Sequence, residues 1–159
     1  MNSPMTERRA AVCAKIRKTF AGVRLEDGIG LKEGRGIDDH ADAETLKRYY
    51  DQDEKHDWSA ISVENLRTFD SSLCFFDSKG MRFHLPSFML AELDGKIGPG
   101  GGAIFNLSYL TDRSKSQFVD LSPAQRAVVR DFLLELKDDP NYEWERSQIE
   151  SALREYWTE

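Results

Sequence analysis

The chain has 159 residues, 40% hydrophobic and 31% charged, the balance of one soluble globular domain spanning 1–159. A formal net charge of −6 argues against a nucleic-acid binder, because neutralising phosphates drives that affinity. No apolar run approaches the about 20 residues of a membrane span, and the first residues lack the apolar core of a secretory signal.

The charge is unevenly spread. Residues 1–24 carry six cations against Glu7, residues 38–57 eight acids against three cations, and residues 131–159 nine acids against three cations. Acidic blocks of this kind suit a basic protein partner, because complementary fields speed association. They also keep a domain soluble, which is the simpler reading. Cys13 and Cys74 fit no metal or redox spacing, so the expectation is a reduced, cytoplasmic protein.

Taken in chain order, residues 5–20 read as an amphipathic helix, with Val12, Ile16 and Phe20 at i, i+4 and i+8 and Cys13 on the same stripe. "RLEDGIGLKEGRGIDDH" follows, and its glycines predict a loop or irregular meander. A short helix is expected over 42–50. Ser62 is placed to cap another through Arg67.

"CFFDSKGMRFHLP", Cys74–Pro86, reads as a β-hairpin. "DSKG" fits a type I turn with Gly80 in the left-handed conformation. That turn pairs Phe76 with Arg82, Phe75 with Phe83, Cys74 with His84 and Leu73 with Leu85. Leu73, Phe75, Phe83 and Leu85 then form a core face. Cys74, Phe76, Arg82 and His84 form an amphipathic one. Pro86 is expected to open a further helix, "PSFMLAEL", and "DGKIGPGGG" a flexible loop over 95–102. "AIFNLSYL", 103–110, suits a strand or a helical turn equally, and "FVDL" a short strand. "SPAQ" is the best helix start: Ser122 caps, Pro123 takes the first position and Gln125 completes a capping box. That helix buries Val128, Val129, Phe132, Leu133 and Leu136 and stops near Pro140. A last helix from about Tyr142 presents Ile149, Ala152, Leu153, Tyr156 and Trp157. The resulting fold class is α+β: a mostly helical domain packed around a small antiparallel sheet containing the 71–85 hairpin.

Several constellations invite chemistry. Cys74 opposite His84 suggests a thiol activated by an imidazole, but opposed residues in a sheet touch for geometric reasons alone. Arg82 across from Phe76 fits a cation–π pair or an anion ligand. "DDHAD" (Asp38, Asp39, His40, Asp42) and "DEKHD" (Asp53, Glu54, His56, Asp57) resemble metal clusters in composition but lack ligand spacing, so no metal is expected. "GPGGGA", Gly98–Ala103, matches a dinucleotide fingerprint only formally, and no cofactor is expected. Trp58 reads first as a core anchor and second as a binding residue. Trp144 and Trp157 lie in the acidic last segment, where aromatic and acidic groups together suit a basic partner.

The pattern F-x-D-x-x-G-x-R-F-x-L-P at Phe75–Pro86 resembles a bacterial family of small proteins of unknown function. Phe20–Asp39, Asp57-Trp58 and "LSPAQ" are similar to it as well. The resemblance implies no activity. By analogy, small acidic proteins of this type resemble immunity proteins that neutralise toxins. Two functions follow as expectations. The first is a non-enzymatic, cytoplasmic protein-binding module, immunity or antitoxin-like, with a basic toxin as partner. The alternative is a small-ligand-binding protein or hydrolase using Arg82, His84 and Phe76 on the polar hairpin face, with Asp38, Asp39, His40 and Trp58 as further binding residues.

Overall fold

The computed structural model describes residues 5–158. Among them are nine α-helices, three 3₁₀ turns and no strand. The α+β expectation is therefore overturned. The fold is all-α, and no antiparallel sheet and no 71–85 hairpin exist among the described residues.

The helices expected over 5–20, 42–50, Ser62–Arg67 and from Ser122 form. Thr6 caps α1 (Glu7–Thr19) through the Arg9 amide, and Val12, Cys13 and Ile16 are buried. Asp42 caps α3 (Ala43–Gln52), and Ser62 caps α4 (Val63–Thr68) through the Asn65 amide. The Ser122–Gln125 capping box opens α8 (Pro123–Lys137), with both reciprocal hydrogen bonds made. A 3₁₀ turn, Pro140–Glu145, leads into α9 (Arg146–Glu155), which buries Ile149, Ala152 and Leu153.

The expected meander over 24–40 instead contains α2 (Leu31–Asp38). Its two interior glycines cost about 1 kcal/mol each in helix propensity. They are needed where α2 lies against Ser72 on one side and Leu46 and Tyr49 on another. The Asp53 carboxylate caps this helix from 20 residues away, accepting from the Lys32 and Glu33 amides at 2.8 and 3.1 Å. The open choice at 103–110 resolves as helix α6 (Ile104–Ser108), followed by α7 (Asp112–Ser116). "FVDL" is a turn, not a strand.

The largest correction concerns the hairpin. Residues Ser78–Leu93 form α5, the longest helix. Asp77 is its N-cap: one carboxylate oxygen accepts from the Gly80 amide at 2.9 Å and the Ile29 amide at 3.0 Å. The first turn of a helix and a type I turn share their backbone dihedrals, so "DSKG" fits both. Gly80 serves close approach, not a left-handed turn: a Cβ there would lie 2.6 Å from the Ile29 carbonyl oxygen. Pro86 does not start a helix. It sits inside α5, where it deprives the Arg82 carbonyl of its amide donor.

α5 runs through the middle of the molecule, against α1, α4, α8 and the 58–60 turn. Met81, Phe83, His84, Leu85, Pro86, Phe88, Met89, Ala91, Glu92 and Leu93 are all buried. A helix enclosed on every side has no polar stripe, so its 3.6-residue period disappears and its sequence reads like a buried strand. One core unites α5 with Phe20, Phe118, Phe132 and Trp157.

Gly80→Ala tests this arrangement. Alanine normally favours a helix by about 1 kcal/mol over glycine. Here the Cβ meets backbone, so chemical denaturation is expected to show net destabilisation of about 1–3 kcal/mol.

Candidate functional site

The sequence-derived candidates do not converge. Phe76 and His84 do meet, stacked with centroids 4.3 Å apart and planes within 4°. Both are fully buried, so they are not a polar patch. The neutral His84 ring donates through Nδ1 to the Gly80 carbonyl at 2.7 Å, leaving Nε2 without a partner. Burial holds its pKa down to about 4. Arg82 pairs with Glu26 at 3.0 Å. Cys74 is exposed in a 3₁₀ turn, with Sγ 3.8 Å from Asn106 Nδ2, and faces no strand partner. Asp38, Asp39 and His40 lie exposed at the end of α2, with Asp39 paired to Arg35. Trp58 is buried, its indole donating to the Phe20 carbonyl at 2.8 Å, and it lines a groove. None of the three cavities is lined by Arg82, His84, Asp38, Asp39 or His40. Among the described residues, no group of three or more His, Cys, Asp or Glu side chains could hold a metal ion.

Much of the charge asymmetry is used internally. α1 lies along α8, and its cations meet acids of the C-terminal third. Arg8 and Arg9 pair with Glu135, Arg9 also with Asp139 at 2.9 Å, and Lys15 with Asp131. Asp138 and Glu143 remain exposed beyond this zipper.

Next to it lies a junction that the sequence did not reveal. Glu92, near the end of α5, is fully buried. It accepts from the Ala103 amide at 2.8 Å, where α6 begins, and from the Tyr142 hydroxyl at 3.3 Å. A Cβ at Gly102 would collide with its carboxyl group. Burial pushes the Glu92 pKa up to about 8. One neutral carboxyl thus ties the glycine-rich 95–102 segment to the 140–145 turn. Only Glu92's place in an otherwise apolar run, "SFMLAEL", hinted at this.

Two exposed aromatic features flank the junction in sequence. Phe105 and Tyr109 stack on each other on α6, centroids 5.3 Å apart, and both are more than half exposed. Trp144, two residues past Tyr142, is 90% exposed between Glu143 and Glu145. Trp157, by contrast, is core, its indole donating to the Leu107 carbonyl.

Residues 8–159 match a family described as "Family of unknown function (DUF6714)". The chain belongs to that family. No curated protein and no solved structure matches it. The helices, the Glu92 junction and the exposed aromatics of this DUF6714 chain all lie within the matched region. No helix among the described residues is long and apolar enough to cross a membrane.

The buried pair of titrating groups fixes a pH profile. Glu92 is raised from its ordinary 4.5, so its contribution is full below pH 4.5 and is lost as pH rises through about 8. His84 is lowered from 6.5, so its contribution is full above pH 6.5 and is lost as pH falls through about 4. Each slope is about 1.4 kcal/mol per pH unit for one proton. From these two groups, stability should be flat between pH 4.5 and 6.5 and decline from pH 6.5 to 8. Glu92→Gln should convert this into a rise up to pH 6.5 followed by a plateau. Urea midpoints across the range check both profiles.

Proposed function

We propose that this DUF6714 chain is a protein-binding module that acts by holding a basic partner, without catalysis of its own. Trp144 carries the reading. Its indole stands in water at 90% exposure, with Glu143 and Glu145 beside it and exposed Asp138 on the same segment. Tryptophan dominates binding hot spots because it removes a large apolar surface from water when a partner covers it. The neighbouring acids favour a cationic partner and raise its encounter rate. The 140–145 turn is anchored by Tyr142 at Glu92, so the indole is presented from ordered backbone. Pre-ordering of this kind lowers the entropy cost of association.

The most concrete form of this reading is an immunity or antitoxin-like role in the bacterial cytosol, with a basic toxin as partner. The alternative, a ligand site or hydrolase on a polar hairpin face, has no observation in its favour, because His84 and Phe76 face the core.

Co-purification with the products of adjacent genes is the test. A partner should bind with salt-sensitive affinity. Trp144→Ala should weaken it about 10–100-fold, the range of a hot-spot residue. The pair Asp138→Lys and Glu143→Lys should slow association. Failure of every neighbouring product to bind, or binding indifferent to all three substitutions, removes this reading.

A further inference from the structure

A cavity elsewhere shares no residue with the Trp144 surface. It is a groove of about 680 Å³ between α1, the 57–63 segment and the outer side of α5. That volume is the size of a pocket for a drug-sized molecule. Its floor is apolar: Trp58, Ile61, Val63, Leu66, Leu90 and Ala91.

The charged groups at its rim are unequal. Asp94 is engaged by Lys96 at 2.9 Å. Asp57 accepts from the Ser59 amide and hydroxyl at 3.0 and 2.6 Å. Arg17, one turn after Cys13 on α1, lines the groove and is exposed, and among the described residues it makes no ion pair and no side-chain hydrogen bond. Asp94 and Lys96 neutralise each other and Asp57 is held by neutral donors alone, so Arg17 is the rim cation without a partner among the described residues, beside an apolar floor. We infer that this groove binds a small organic anion with an apolar body, its carboxylate held by Arg17 and its body laid over Ile61, Val63 and Leu90. A guanidinium suits a carboxylate because its donors match both oxygens, and charge-assisted hydrogen bonds are the strong ones.

Octanoate and octanol separate the two halves of the site, since they share the chain and differ in the head group. Calorimetric titration of the full-length chain, with the Trp58 indole N–H resonance as a second readout, should show one octanoate site that prefers octanoate to octanol at least tenfold. Arg17→Gln should abolish that preference while leaving octanol binding unchanged. Arg17 is exposed, so this variant is expected to keep its fold. Leu90→Trp, which fills the groove, should remove both ligands with the helical circular-dichroism spectrum intact. The inference is overturned by no octanoate binding to the wild type, by equal affinity for the two ligands, or by unchanged preference in Arg17→Gln. Binding that survives Leu90→Trp in a folded protein overturns it too.

Discussion

The fold is arranged around one largely buried helix. α5 is enclosed by α1, α4, α8 and the 58–60 turn, and most of its side chains are buried. Such a helix gains much apolar burial, at about 25 cal/mol per Å² of surface removed from water. Most of the polar groups it buries must find partners, because an unpaired one costs free energy, and His84 Nε2 is left without one. Its start is settled by Asp77, whose carboxylate serves both its own first turn and the Ile29 amide. Its interior histidine stays neutral, stacked on Phe76 and bonded to the Gly80 carbonyl. Near its end, Glu92 stays protonated and uses its oxygens to hold the Ala103 amide and the Tyr142 hydroxyl.

The polar residues of α5 are thus what positions the rest of the chain. Through Asp77 the 25–30 segment docks against the helix start. Through Glu92 the glycine-rich segment and the 140–145 turn meet. Trp144 and Phe105 owe their presentation to that second junction, each lying two residues beyond an atom that Glu92 holds. The basic face of α1 closes the same region from another side, spending Arg8, Arg9 and Lys15 on acids of α8 and on Asp139. Part of the N-terminal and C-terminal charge therefore acts as an internal clamp, and Asp138 and Glu143 lie exposed beyond it.

Legibility followed the kind of signal. Caps are local, so Ser62, Ser122 and Gln125 could be assigned from sequence, and the structure places them as helix starts. Asp77–Gly80 reads as a turn because a helix start and a type I turn share their backbone dihedrals; what separates them is whether the chain continues helically, as it does through the Met81 amide and the Asp77 carbonyl. Burial on all faces removed the periodicity that would have decided it. The glycines of α2 misled for a related reason: in sequence they signal a loop, while in the fold they permit contact with Ser72 and Tyr49. Of the candidate residues, Trp58 is buried, in keeping with its reading as a core anchor. His84 and Arg82 were placed on a shared face that does not exist.

The sequence by itself determined the helix caps, the apolar stripes of α1, α8 and α9, the distribution of charge and the absence of metal-ligand spacing. Each is a property of neighbouring residues. Tertiary structure alone decided that Cys74–Pro86 continues into a helix, that Asp53 caps α2 across 20 residues, that Arg8, Arg9 and Lys15 pair with Asp131, Glu135 and Asp139, and that Glu92 joins two distant segments. Each of these depends on groups brought together only when the core closes, and it is the low-dielectric interior so formed that gives Glu92 and His84 their altered protonation.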